Sequence, residues 1–190
     1  GDNAFVPSDW IKAVFSELKK NLGSDKRILV VSVLGIQSSG KSTMLNTMFG
    51  LQLAVSVGRC TKGVFCSLIP VDKTKSQYDY DYIMVIDTEG LRTAELGDEK
   101  RICDNELATF AIGLGDVAIV NFKGENFSEI KNTLEIVIHA FIKLKKANTI
   151  KSKPTCLFVH QNVSGLNVEA DLISQRSQLQ KKLDKLTEIA

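Results

Sequence analysis

No C-x-x-C pair occurs in this chain, and its two histidines, His139 and His160, stand far apart. A structural zinc site, which needs clustered ligands, is therefore not expected. The four cysteines, Cys60, Cys66, Cys103 and Cys156, are scattered, which suits free thiols in a reducing compartment. No apolar run approaches the roughly 18 residues that a membrane helix needs. No secretory signal is read at the start, so the N-x-S triplets at Asn126 and Asn162 are expected to carry no glycan. Charge of one sign is also missing: 24 basic and 22 acidic residues leave a net charge of +2. Nucleic acid, which usually meets a strongly basic face, is not an expected partner. The basic stretch KLKKANTIKSK at 143–153 reads as a solvated helix end and loop. No internal repeat or low-complexity segment appears.

What is present is ordinary globular material. Hydrophobic residues make up 44% and charged residues 24% of 190, enough for one domain with a real core. Trp10, Ile11, Val14, Phe15 and Leu18 recur at helical spacing after Ser8, and Gly23 ends that pattern. ILVVSVLG at 28–35 is a continuous apolar, β-branched run, the signature of a strand buried on both faces. A helix follows to Gly50. VFCSLIPVD predicts a short strand, and YIMVIDTEG and DVAIVNF predict two buried ones. DNELATFAIGLG and SEIKNTLEIVIHAFIKLKKAN predict helices, PTCLFVHQN a further strand, and residues 168–190 a charged amphipathic helix. The segments 51–63 and 91–103 read as irregular. Alternating strands and helices predict an α/β domain, a mainly parallel sheet with helices on both faces. The chain stops on a helix after its last strand, so a fragment lacking a final strand is expected.

Residues 35–42, GIQSSGKS, lie between a buried strand and a helix. This is the setting of a phosphate-binding loop. Gly35 and Gly40 let successive backbone N–H groups face one anion, and the helix N-terminus adds positive dipole. Lys41 is read as reaching the β- and γ-phosphates, and Ser42 as a Mg²⁺ ligand. Ser39 and Thr43 complete the candidate phosphate set. Asp87-Thr88-Glu89-Gly90 ends the next buried strand. It places Asp87 near the metal, through water, and Gly90 where its N–H can face a γ-phosphate. Between these two motifs lies Gly58-Arg59-Cys60-Thr61-Lys62-Gly63. There Thr61 can swing onto Mg²⁺ as a switch loop orders. Arg59 could stabilise charge on the transferring phosphoryl group.

These motifs carry a resemblance. GIQSSGKST looks like the phosphate loop of dynamins, and CTKGVF and DTEGL resemble motifs of guanylate-binding proteins. Together with DNELATFAIGLGD and KPTCLFVHQNVSG they resemble the G domain of the interferon-inducible very large GTPases. The resemblance covers nearly the whole chain. It implies a P-loop G domain over residues 1–190, cut from a giant cytosolic or nuclear protein. It further implies GTP and GDP as ligands and nucleotide-dependent homodimerisation through the G domain. By similarity to dynamins, Gln37 would position the attacking water, with Ser38 against the β–γ bridging oxygen.

Two departures from small GTPases stand out. Leu91 follows the D-x-x-G glycine where those proteins carry a water-orienting glutamine. His160-Gln161-Asn162-Val163 stands where N-K-x-D would read the guanine base. There, Gln161 or Asn162 could offer an amide oxygen, a weaker acceptor than a carboxylate, and His160 could stack. The same residues are also compatible with a plain polar loop. The expected activity is Mg²⁺-dependent GTP hydrolysis. The alternatives are a nucleotide-binding scaffold with little or no hydrolysis, and an adenine-nucleotide enzyme.

Overall fold

The computed structural model describes residues 8–55, 63–74, 78–91, 98–124, 127–147 and 154–161, with isolated positions between 173 and 184. Arg59, Cys60, Thr61, Lys62, Asn162, Val163 and most of the expected terminal helix lie outside them. The chain order is α1 (Ser8–Leu22), β1 (Ile28–Gly35), α2 (Lys41–Phe49), β2 (Val64–Pro70), β3 (Tyr82–Thr88), α3 (Asp98–Leu114), β4 (Val117–Lys123), α4 (Phe127–Lys146) and β5 (Thr155–Gln161). The strands form one sheet in the order β2-β3-β1-β4-β5. β1 runs parallel to both β3 and β4, and β5 parallel to β4, while β2 pairs antiparallel with β3. The expected mainly parallel sheet is therefore present, with an antiparallel strand at one edge.

Alternation along β1 and β4 divides the core into two faces. Leu34, Val120 and Phe122 meet Ala108, Ile112, Leu134 and Val137 in the layer made by α3 and α4. Val31, Val33, Val85 and Ile119 meet Leu45 in the layer made by α2. Helices thus cover both faces, and the central strands read as unbroken apolar runs because both of their faces are buried. Gly23 ends α1 at φ 92, with its N–H bonded to Lys19 O at 3.1 Å. The α1 stripe is shallower than its periodicity suggests: Val14 is 43% exposed, and Ile11, Phe15 and Leu18 are only half-buried. α3 begins at Asp98, earlier than the apolar pattern predicts. Its opening residues, DEKR, are charged, and Ile102 is 58% exposed. A charged run shows no apolar period to detect, while acidic residues suit a helix N-terminus.

Candidate nucleotide site

The loop between β1 and α2 lies at the carboxyl edge of the parallel strands. α2 starts at Lys41 directly after Gly40, whose φ of 83 is left-handed. Ser38 also takes a positive φ of 60, a cost for a non-glycine residue that clusters at ligand-binding turns. Gly35 is fixed by contact. A Cβ there would sit 2.3 Å from Asn121 O, so only glycine lets β1 pass β4 at this point.

The Lys41 side chain is buried beneath the loop. Its ammonium donates to Gly35 O at 3.2 Å and Ile36 O at 2.9 Å. Burial lowers its pKa from 10.5 to about 8, and the nearby Asp87 charge partly restores it. A cation held out of water at the start of a helix is arranged to meet an anion. Ser42 Oγ donates to Asp87 Oδ2 at 2.7 Å. The first turn of α2 and the end of β3 thus converge on one point, with hydroxyl and carboxylate oxygens, the ligands a hard cation prefers. Among the described residues no group of three or more His, Cys, Asp or Glu side chains could cage a metal alone.

The D-T-E-G segment is fastened to the loop. Leu91 N donates to Gly35 O at 2.9 Å, and Gln37 N donates to Leu91 O at 3.0 Å. A Cβ on Gly90 would lie 2.3 Å from Gln37 Cα, so the two backbones touch. Leu91 itself is 1% exposed and belongs to the core. Thr88 is buried and donates to Val33 O at 2.7 Å. Glu89 N donates to Gly63 O at 2.7 Å, while Gly63 N donates to the Glu89 carboxylate at 3.0 Å. This clasp ties the residue just after Thr61-Lys62 to the D-T-E-G turn.

The structure therefore brings Gly35, Gln37, Ser38, Ser39, Gly40, Lys41, Ser42, Asp87 and Gly90 together. The Gln37 and Ser38 residues are exposed at the loop, and Thr43 is exposed on α2. Ser39 is turned inward, 1% exposed. Gln161 reaches the loop, its Oε1 3.0 Å from where a Gly40 Cβ would be. His160 does not. Its ring lies edge-on to Phe122, with Nε2 against Gly124 O, on the α3–α4 side of the sheet. Two residues at the loop escape a reading of motifs, Asn121 and Lys123, and the contact of Glu89 with Gly63 escapes it too. Asn121 Nδ2 donates to Ser39 O at 2.8 Å and Ser39 Oγ at 3.1 Å, and Lys123 Nζ donates to Ser38 O at 3.3 Å. An asparagine within a buried apolar strand is the one sequence signal that points there.

A glycine-rich loop opening a helix, a buried lysine beneath it, and a serine–aspartate pair between α2 and β3 define a P-loop G domain. The family model described as the URGCP-like GTPase domain matches residues 1–190, and the chain belongs to that family. It is 46% identical over its whole length to interferon-induced very large GTPase 1 of Mus musculus, covering 8% of that protein. It is 36% identical over 94% of its length to the mouse up-regulator of cell proliferation, covering 19% of it. The chain thus spans a small part of the curated relatives it matches. Among solved structures, Toc33 from Arabidopsis thaliana in complex with GDP and Mg²⁺ superposes with a TM-score of 0.56. That match has 20% identity and covers 94% of this chain and 69% of Toc33, a likeness of fold. The resemblance to the very large GTPases read from the motifs is thus confirmed by full-length similarity.

Proposed function

We propose that this domain binds GTP with Mg²⁺ and hydrolyses it, and that the nucleotide state is read out as a conformational switch. The observation that carries the reading is the Ser42–Asp87 pair at 2.7 Å beside the buried Lys41. The GTPase names of its relatives support guanine as the base. Ser42 and Thr61, with Asp87 through water, would hold the magnesium ion. When bound, that ion neutralises charge on the β- and γ-phosphates.

The chain's own residues supply the rest. Lys41 exchanges two loop carbonyls for phosphate oxygens, and the loop N–H groups and the α2 dipole hold the anion. Gln37 orients the attacking water, with Ser38 beside the bridging oxygen and Arg59 available to developing charge. Catalysis of this kind is positioning plus electrostatics. The Glu89–Gly63 clasp gives the switch its lever. With a metal bound, Thr61 would be one of the residues holding it, and the Gly63 end of its segment is already tied to the D-T-E-G turn.

Kinship with the very large GTPases also carries three further proposals: homodimerisation through the G domain when nucleotide binds, a place in the cytosol or nucleus, and membership of a much longer chain. Competition between GTP and ATP for the site tests the base assignment. GTP displacing a bound fluorescent GDP analogue at concentrations at least about tenfold below ATP is expected. Equal displacement contradicts a guanine-specific site.

A further inference from the structure

β4 carries a second set of loop contacts that no motif assigned. Asn121 and Lys123 are two residues apart on one strand, so both face the α2 side of the sheet. They hold consecutive loop carbonyls, Asn121 that of Ser39 and Lys123 that of Ser38. A trans peptide points its C=O and N–H in opposite directions. Anchoring these carbonyls on the β4 side therefore turns the N–H groups of Ser39 and Gly40 the other way.

The position of β4 gives this set a functional direction. The chain reaches β3 on one side of β1 and crosses back through α3 to β4 on the other. Ligands of open α/β sheets lie at such a reversal, outside the carboxyl ends of the strands. The Ser42–Asp87 pair marks the β3 side as the metal and terminal-phosphate end. The remainder of a nucleotide then extends over the ends of β4 and β5.

Among the described residues, few are available there. In the β4–β5 register Lys123 stands opposite Gln161, and Phe122 opposite His160. His160 is on the far face against Phe122. The Gln161 amide is folded onto Gly40. Lys123 is exposed, with its ammonium pinned at Ser38 O. Its four-carbon stem therefore runs between β4 and the loop, on the side of β1 away from β3, and offers apolar length beneath a charged head.

We propose that Lys123 is a nucleobase-contacting residue: its stem packs against the purine while its ammonium holds Ser38. The wall of the base pocket then comes from β4, in a chain whose β5 loop lacks the lysine of N-K-x-D. Asn121 beneath it is a positioning residue. The proposal rests on the nucleotide-binding reading above.

Calorimetric titration of this chain with GDP and with inorganic pyrophosphate tests it. Pyrophosphate has the phosphates and no base. Lys123→Ala should weaken GDP about tenfold and leave pyrophosphate within about twofold. Lys123→Met, which keeps an apolar stem without charge, should restore most of the lost GDP affinity. Equal weakening of both ligands by Lys123→Ala would reduce the residue to a clamp on the loop and overturn the base contact. Unchanged GDP affinity would overturn it too. Failure of the native chain to bind GDP at all would sink the nucleotide-binding reading itself, a result distinct from either.

Discussion

Gly90 shows how tightly the loop and the D-T-E-G turn are set. The glycine of such a turn is usually assigned to the γ-phosphate, yet here its missing side chain does something more local. A methyl group would meet Gln37 Cα at 2.3 Å and Gln37 N at 2.5 Å, both backbone atoms that cannot rotate away. Gly90→Ala should therefore part the turn from the loop. The expected cost is about 1–3 kcal/mol of stability, measured by urea unfolding, together with weaker GDP binding. Native stability and affinity in that variant would show that the contact is dispensable. At this scale the phosphate residues were legible in the sequence, because G-x-x-x-x-G-K-S is contiguous and its geometry is local. Asn121 and Lys123 were not. They reach the loop from a strand more than eighty positions away in the chain, and only the sheet order brings them there.

Elements decide what neighbouring residues can do. His160 and Gln161 are adjacent in the sequence, and both stood as candidates for the base. A β-strand sends successive side chains to opposite faces, so β5 can offer only one of them to the loop. The register selects Gln161 and sends His160 to Phe122 and Gly124 O. His160→Ala should accordingly lower stability by about 1–2 kcal/mol, through its lost hydrogen bond and ring contact. GDP affinity should stay within about twofold of native. A thermal melt beside a GDP titration checks both. A large loss of affinity at unchanged stability would return His160 to the base site. The strands were legible because buried parallel strands are apolar throughout. The first turns of α3 were not, since the charged residues at its start show no apolar period. The antiparallel direction of β2 was also hidden, because direction leaves no mark on a short strand's composition.

On the scale of the whole molecule, three segments distant in sequence share one small region. The loop after β1, the turn after β3 and the end of β4 meet where the chain reverses its course across the sheet. Backbone hydrogen bonds, which are independent of side-chain identity, join the first two. Such an arrangement can carry a change at the phosphates outward through Glu89 to Gly63 and the residues before it. If homodimerisation of the G domain activates hydrolysis, phosphate release per molecule should rise with protein concentration. A flat dependence would argue against activation by a second copy. The fold class and the family resemblance were legible from motif order alone. The coupling between motifs was not, because it resides in the backbone.

The central claim is that the site hydrolyses GTP and does so through Gln37. Steady-state phosphate release from GTP in the presence of Mg²⁺, by the native chain and by Gln37→Ala, tests it most directly. Measurable release by the native chain is expected, with a loss of at least about tenfold in the variant and GDP binding retained. Equal release by the two proteins, with binding intact, would contradict the assigned role of Gln37. No release by a native chain that binds GTP would leave the domain a nucleotide holder.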